Sequence, residues 1–466
     1  MHMLKKYGAL MVLLMTLPFA QFIATKLMTE DASAAYSYIP QESDFVIEIN
    51  TRNFINELAF QRIYNEEYFM DRTYDTEEED PEPKFSENGI DPFGKIMIFR
   101  EQWAQESIWF SIIKYTNEDD IRRFIKERQP EARIVFDADY AIIQLTSSKQ
   151  QANIDDHLEK IRTKAVKPFT ERVNLIEVFD PTKEINAYIF PKNTAYNDLL
   201  DGHLSFDFLN DRILIDGTFS PVSGYQLKEP IAYAIDDKAG MSLRSSMNIL
   251  NSIYWFNEEK IEDLPDYRQM AIDYYGIDCQ LIHRNKGFST PFMSFPNLNL
   301  NIDMNERKIW QGFLDTLEAN GQIQMDTIQA NQFNTSEGAH FEYLLSNQQF
   351  QLRQDSFDLQ LAEPSNVYFD LVMKPEAMLD GTVFSIHETY PPSQLEQRMG
   401  LIVAGSILKQ IRDFTNMEKI SFQLTADNSE AIDAHGQIDM KEKKGHSMVE
   451  SLTFGTGALI FLSGLK

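Results

Sequence analysis

The sequence predicts an α+β protein of two similar halves, each an antiparallel sheet with helices packed on one face, preceded by an N-terminal transmembrane or signal helix. Three observations lead to this fold class: apolar residues alternate in many short segments, helical apolar stripes separate them, and one strand motif recurs. The chain has 466 residues, 43% of them hydrophobic and 12% aromatic, enough to bury more than one core.

Strands are predicted wherever apolar residues recur at every second position. The first is Phe45–Asn50, followed by Ile96–Phe99 and Ile108–Tyr115. From Phe341 to Met373, successive alternating runs separated by short polar turns predict an antiparallel meander. Its clearest run consists of Phe357, Leu359 and Leu361.

Helices are predicted where apolar residues recur at three- and four-residue spacing. Asn117 is a typical N-cap for a helix carrying Ile121, Phe124 and Ile125. Another helix is expected from Asn305, its N-cap, to Leu317. Trp310 is expected to pack in the core, and Gly321 should end the helix. The other stripes are Ile154, Leu158, Ile161 and Ala165, then Leu395, Met399, Ile402 and Ile407.

The recurring motif suggests an internal duplication. Leu204–Phe208 is similar to Ile420–Leu424, and each is followed by a strand that contains a glycine, Gly217 or Gly436. Upstream, 186–189 (NAYI) is similar to 366–369 (NVYF). We therefore predict a signal or anchor helix over 1–34, α+β halves over 35–225 and 226–446, and an apolar tail over 447–466.

The N-terminus has the features of an export signal. Lys5 and Lys6 precede Gly8–Ala24, a stretch without charge. Two lysines before the apolar run predict an N-terminus inside the cell and translocation of the rest. We expect an uncleaved anchor in the cell membrane with the bulk of the chain in the periplasm. The alternatives are cleavage after Ala32-Ser33-Ala34, with release to the periplasm, and a buried helix.

The last segment, Leu452–Leu465, is almost wholly apolar. It is shorter than a standard membrane span. It is interpreted as an element that completes the core or, alternatively, as a second membrane or partner contact.

Charge excludes one class of partner. The chain carries 43 Lys and Arg against 71 Asp and Glu, a formal charge of −28. Nucleic-acid binding requires a basic surface, and the sequence has no basic cluster to provide one. The single cysteine, Cys279, excludes an intrachain disulfide and a cysteine-rich zinc site.

No local motif predicts catalysis, a cofactor or a metal. No two of the eight His are three or four residues apart, so no helix presents a zinc-binding pair, and the sequence contains neither a nucleophile elbow nor a phosphate-binding loop. Adjacent acids such as Asp119-Asp120, Asp155-Asp156 and Asp236-Asp237 point apart on regular elements. We therefore predict no catalytic, cofactor-binding or metal-binding residue and leave the ligand-binding residues unknown.

Residues 36–220 resemble a group of uncharacterised membrane-anchored envelope proteins common in Bacteroidota. The similarity rests on Ile39-Pro40 with Ser43 and Phe45-Val46, on the Gly89-Ile90-Asp91 turn, and on the strand and helix start spanning 109–124. The resemblance implies an envelope location and transfers no catalytic residue. Members of the group often carry a lipidated cysteine, which this chain lacks near residues 20–35.

We expect a non-enzymatic, membrane-anchored envelope protein that binds a protein or envelope component. A carrier of a lipid or other apolar ligand is the first alternative, and it requires an apolar cavity lined by residues such as Phe206, Phe208, Phe422 and Trp310. A hydrolase with a dispersed site is the second, and it requires a His that meets both a carboxylate and a Ser or Thr hydroxyl.

Overall fold

The computed structural model describes residues 33–55, 88–103, 106–146, 151–190, 197–209, 211–249, 264–282, 292–325, 331–335, 340–353, 360–362, 365–380, 383–387 and 417–441. Strands account for 46% of the described residues and helices for 20%. The predicted α+β fold of two similar halves, each with its own sheet and helical layer, is therefore wrong. The strands join one large, mostly antiparallel sheet with few helices.

The strands are β1 (Phe45–Ile49), β2 (Ile96–Trp103), β3 (Glu106–Lys114), β4 (Ile134–Asp137), β5 (Tyr140–Gln144), β6 (Ile185–Ile189), β7 (Leu199–Phe208), β8 (Arg212–Pro221), β9 (Met241–Ser245), β10 (Tyr267–Ile282), β11 (Phe292–Met304), β12 (Ile323–Met325), β13 (Gln332–Thr335), β14 (His340–Leu345), β15 (Gln349–Arg353), β16 (Val367–Met373), β17 (Val383–His387), β18 (Met417–Thr425) and β19 (Ile432–Met440). The α-helices are α1 (Ser33–Tyr36), α2 (Glu118–Arg128), α3 (Gln151–Arg162), α4 (Leu175–Val178), α5 (Arg307–Ala319) and α6 (Pro375–Asp380).

The first compact unit comprises the described residues within 33–43, 48–52 and 88–178. In this unit β2 pairs with β3, β3 with β5, and β4 with β5, all antiparallel. The rings of Phe99 and Phe110 stack with centroids 5.2 Å apart in its core. The strands predicted at Ile96–Phe99 and Ile108–Tyr115 are confirmed as parts of this sheet.

Both predicted helices of the first unit are confirmed. The Asn117 side-chain oxygen accepts hydrogen bonds from the backbone N–H groups of Asp119 and Asp120, at 2.9 and 3.2 Å, and so caps α2. Three residues of the predicted stripe, Ile154, Leu158 and Ile161, are completely buried in α3, whereas Ala165 lies beyond the end of the helix and is exposed.

The second compact unit comprises the described residues within 44–47, 53–55 and 179–441. Antiparallel pairings give the spatial order β6-β7-β8-β19-β18-β16-β9-β10-β11-β15-β14-β13-β12. In addition, β17 pairs with β10 in the parallel direction. The predicted junction between residues 225 and 226 lies within this unit.

The recurring motif occupies equivalent positions in two three-stranded meanders, β6-β7-β8 and β16-β18-β19. Their registers differ, because Ser205 lies opposite Asn186, whereas Ser421 lies opposite Val372. The last strands of the meanders, β8 and β19, pair with each other. The two copies of the motif therefore lie in meanders that pair edge to edge within one sheet. For this reason they do not mark two separate halves.

Helix α5 covers part of the apolar side of the second unit. Trp310 is 1% exposed, and its ring stacks on Phe350 at 6.0 Å, as expected for a core residue. The predicted cap is wrong, because Glu306 occupies the N-cap position and Asn305 donates instead to Asp266 at 2.6 Å. Gly321 has a φ of +73°, which is the conformation that ends a helix.

Several predictions concern residues outside the described ranges. They are the anchor at Gly8–Ala24, the strand residues Phe357 and Leu359, the stripe from Leu395 to Ile407, and the apolar tail over 447–466. Among the helices that the structure does describe, none is both long and apolar enough to cross a membrane.

Close strand packing at Gly217 gives a testable prediction. A Cβ atom at Gly217 would lie 2.1 Å from the carbonyl oxygen of His203, whereas a Cβ atom at Gly312 in α5 would have no neighbour within 4 Å. We expect Gly217→Ala to lower the free energy of unfolding by about 1–3 kcal/mol. Gly312→Ala, the control, should raise it by about 0.5–1 kcal/mol, because alanine favours a helix. Urea unfolding followed by circular dichroism measures both, and an unchanged transition for Gly217→Ala would contradict the packing.

Candidate functional site

A row of polar side chains runs across the sheet of the second unit. Each member lies opposite the next on a neighbouring strand, because the registers of six successive strand pairs align. We call this the polar row, and its members are Asn186, Ser205, Asp216, His435, Gln423, Asp370 and Arg244.

The neighbouring row, displaced by one residue along each strand, is apolar. It includes Phe206, Ile215, Phe422, Leu371 and Leu243, with Gly436 between Ile215 and Phe422. Because side chains alternate across a strand, the two rows face opposite sides of the sheet. The sheet therefore has an apolar side that packs into the core and a polar side, which we call the polar face.

Hydrogen bonds link neighbours along the polar row. The Ser205 hydroxyl donates to the Asn186 side-chain oxygen at 2.8 Å, and Gln423 Nε2 donates to Asp370 Oδ2 at 3.1 Å. His435 Nδ1 lies 3.1 Å from Asp216 Oδ1, and these two side chains are 59% and 60% exposed. The middle of the polar face is thus open to solvent.

At the Arg244 end the polar row is buried. Arg244 and Asp273 form a two-bond ion pair, with Nη1–Oδ1 and Nη2–Oδ2 distances of 2.9 and 3.0 Å and side chains only 2% and 1% exposed. Arg244 Nε also donates to the backbone oxygen of Ala234 at 2.8 Å, and the Ser242 hydroxyl donates to Asp273. Both the carboxylate and the guanidinium of this pair therefore have hydrogen-bond partners, as buried charges require.

Asp370 has a less favourable environment. Burial raises the pKa of Asp370, and the hydrogen bond from Gln423 and the charges of Arg244 and Lys419 only partly oppose this. Its Oδ1 atom is buried without a hydrogen-bond partner. This carboxylate therefore opposes folding when it is ionised.

The hydrolase alternative required a His bonded to both a carboxylate and a hydroxyl. In the first unit, His157 Nε2 lies 3.0 Å from Glu101 Oε2, which also accepts from Trp103 Nε1 at 3.0 Å. In the second unit, His435 meets Asp216. No described Ser or Thr hydroxyl bonds to either of these imidazoles; the hydroxyl of Ser205, opposite Asp216, donates to Asn186.

The carrier alternative requires a continuous apolar cavity lined by residues such as Phe206, Phe208, Phe422 and Trp310. The described core instead assigns them to three separate clusters: Trp310 in one, Phe422 in a second, and Phe206 with Phe208 in a third. As for metal ions, no group of three or more His, Cys, Asp or Glu side chains within the described ranges is arranged to hold one.

The polar face was not predicted from the sequence, although the sequence contains its signal. Asp433, His435, Gln437 and Asp439 alternate with Ala434, Gly436 and Ile438 in β19, and His203, Ser205 and Asp207 alternate in the same way in β7. Such alternation predicts a one-sided strand, but only the strand order brings these residues together.

Comparisons with known proteins add little. No protein-family model matches the sequence, and no curated protein matches it either. One solved structure, crystal form IV of TP0453, is 10% identical to the chain; the alignment covers 40% of this chain and 79% of that one, with a TM-score of 0.24.

The buried ion pair gives a second prediction. Arg244→Met leaves the Asp273 carboxylate buried without its charged partner, so we expect a loss of about 3–5 kcal/mol in the free energy of unfolding. Asp273→Leu should cost a similar amount for the same reason. The double variant should lose much less than the sum of the single losses. Urea unfolding of all four proteins measures the coupling, and additive losses would contradict it.

Asp370 gives a prediction of pH dependence. Because its pKa is higher in the folded chain than in the unfolded one, the stability from this group is present below the ordinary carboxyl range and is lost as the pH rises through the folded pKa. Asp370→Asn should therefore raise the urea midpoint at neutral pH, and the difference from wild type should disappear below about pH 4.

Asp237→Asn is the matched control for this pH series, because the Asp237 side chain is 99% exposed. It should leave the midpoint nearly unchanged at each pH. A lower midpoint for Asp370→Asn at neutral pH would show that the carboxylate stabilises the folded chain.

Proposed function

We propose that this chain is a non-enzymatic envelope protein that binds a protein partner through its polar face. One observation carries the proposal: the polar face is open at its centre, on β8 and β19, where Asp216 and His435 are about 60% exposed. The opposite side of the sheet is apolar and packs into the core. A sheet of this kind offers one wide, flat hydrophilic surface supported by a rigid core.

The composition of the polar face supports a polar, macromolecular partner. Rows on β7, β8, β19 and β18 place hydroxyl, amide, imidazole and carboxylate groups side by side. These groups form directional hydrogen bonds with a protein surface, whereas an apolar ligand needs an enclosed hydrophobic pocket. The contacts of His157 and His435 lack the hydroxyl that the hydrolase alternative requires.

The proposed location in the cell rests on the sequence. Lys5, Lys6 and the uncharged stretch Gly8–Ala24 are typical of a segment that inserts into the cytoplasmic membrane with its N-terminus inside. We propose that this segment remains as a single anchor and that the bulk of the chain lies in the periplasm. Cleavage after Ala34 is the alternative.

One experiment in native cells tests both the membrane anchor and the binding of a partner at the polar face. The full chain carries a photo-crosslinking amino acid at the exposed residue Ser220 on the polar face or, as a control, at exposed Glu131 in the first unit. Membranes are washed with alkaline carbonate, the intact mass is measured, and the sample is irradiated. We expect an intact chain retained in the membrane and one discrete adduct that forms from Ser220 but not from Glu131.

The outcomes separate the two claims. A soluble chain whose mass begins at Ala35 would overturn the anchor. Adducts that are absent, or equally abundant from both positions, would overturn binding at the polar face.

A further inference from the structure

A segment of the second unit lies across the polar face at its buried end. We call residues 229–237, between β8 and β9, the strap. Arg244 Nε donates to the backbone oxygen of Ala234 at 2.8 Å, so the strap lies on the side of the sheet to which Arg244 points. Leu243, the neighbour of Arg244 in β9, packs into the apolar core on the other side. The strap therefore covers this end of the polar face, whereas the centre is open to solvent.

The sheet surface at the covered end is polar, although it is almost completely excluded from water. It continues the polar face into β10 and β11, because Ala271 lies opposite both Arg244 and Asn301. Its polar side chains that are at most 6% exposed are Ser242, Arg244, Gln269, Asp273, Asn299 and Asn301. Side chains of these types usually lie in water, so this is a hydrophilic surface beneath a cover.

Side chains of β9 and β10 hold the strap by its main chain at every second residue. The four contacts are Gln269 Nε2 to the oxygen of Pro230 at 2.9 Å, the N–H of Ala232 to Gln269 Oε1 at 3.1 Å, Arg244 Nε to the oxygen of Ala234 at 2.8 Å, and the N–H of Asp236 to Ser242 Oγ at 3.1 Å. In an extended chain, alternate residues face the same side and lie about 6.8 Å apart. The spacing of the contacts therefore suits an extended polypeptide, and main-chain groups are common to nearly all residue types.

A short backbone segment also pairs with the edge of the strap. The N–H of Ala234 donates to the oxygen of Gln360, and the N–H of Ala362 donates to the oxygen of Ala232, both at 2.9 Å. Tyr233 lies opposite Leu361 in this antiparallel bridge. Main-chain hydrogen bonds of this kind bind extended peptides that add to a sheet as a strand.

The strap is held mainly by polar contacts. Tyr233 donates its hydroxyl to Asp303 at 2.7 Å, and Tyr275 of β10 donates to Asp236 at 2.7 Å. Ile231, at 7% exposed, is the only buried residue of the strap. A segment that buries so little apolar surface opens at a lower free energy than the whole fold. Its opening exposes polar groups, which water hydrates.

We propose that the covered end of the polar face is a binding site for an extended polypeptide, that the strap is its resident occupant, and that a segment of the protein partner replaces the strap. This inference rests on the proposed function and names the chemistry of its partner. The strap shows that chemistry: an extended main chain with small residues at positions 232 and 234 and, between them, a hydroxyl group that reaches Asp303.

The covered end is continuous with the open centre of the polar face. The registers of β18 with β16 and of β16 with β9 place Gln423, Asp370 and Arg244 side by side. A partner that binds at the centre therefore reaches the covered end along one surface.

The test uses the full chain and a fluorescent peptide with the sequence of residues 227–239 (LKEPIAYAIDDKA), whose anisotropy reports binding. In the wild-type chain the strap competes with the peptide, so the affinity is reduced by the fraction of chains whose strap is open. We therefore expect weak, saturable binding to wild type.

The release variant is Ala232→Pro/Ala234→Pro. It removes the two N–H groups that donate to Gln269 and Gln360, and it leaves the side chains of the sheet in place. We expect it to bind the peptide about tenfold more tightly than wild type, or better. The same two changes made in the peptide should abolish binding to both chains, for the same reason.

Two further changes in the release variant locate the site. Gln269→Ala removes the side chain that bonds to two main-chain groups and should lower the affinity about tenfold. Gln437→Ala, the matched control in β19, should change it less than about twofold, because Gln437 bonds to Asp439 away from the strap.

Urea midpoints verify that each variant folds. If the double-proline chain does not fold, Tyr233→Phe serves in its place. It removes only the hydroxyl that donates to Asp303 and should give a smaller gain in peptide affinity over wild type.

Equal affinities of wild type and the folded release variant would overturn the inference, since the strap would then not occupy the peptide site. Binding to the release variant alone would overturn the replacement of the strap, and equal losses in Gln269→Ala and Gln437→Ala would place the peptide elsewhere. Each of these results is independent of the Ser220 adduct in cells. Peptide binding as expected without that adduct would instead overturn the proposed function and leave the site at the covered end intact.

Discussion

The continuous cross-strand register of the second unit is the constraint on which the other features depend. Side chains alternate between the two sides of each strand, so aligned registers turn alternation in separate strands into rows that cross the sheet. One row is polar and the next is apolar. A slip of one residue at the β8–β19 pair would bring Ile215 to the side of His435, and so expose apolar surface and bury charge.

The buried pair of Arg244 and Asp273 shows how the same register admits charge into the core. Both side chains are almost completely excluded from water. Arg244 also donates to the backbone carbonyls of Ala234 and Ile272, and Asp273 also accepts from the Ser242 hydroxyl. Such pairs contribute little net stability, but they penalise any arrangement that separates them. The pair therefore specifies the alignment of β9 with β10, next to the point where Asp370 of β16 tolerates an unfavourable burial.

Helices and strands were predictable from the sequence where interactions between residues close in sequence determine them. Asn117 caps α2 because its side chain reaches two free backbone N–H groups, and Ile154, Leu158 and Ile161 are buried because their spacing places them on one side of α3. The cap at Asn305 was mispredicted because Asp266, distant in sequence, competes for its amide. Both copies of the recurring motif are strands, as predicted. They do not mark two halves, because β8 and β19, the last strands of the two meanders, pair with each other.

The sequence by itself determined the alternation of polar and apolar residues, the excess of acid and the absence of local catalytic motifs, because each of these is a property of neighbouring residues or of composition. Only the tertiary structure decided that Ser205, Asp216, His435 and Gln423 lie side by side on one open surface and that Arg244 pairs with buried Asp273. The physical reason is that strand order and register bring together residues more than two hundred positions apart, such as Asp216 and His435. No local pattern encodes that pairing.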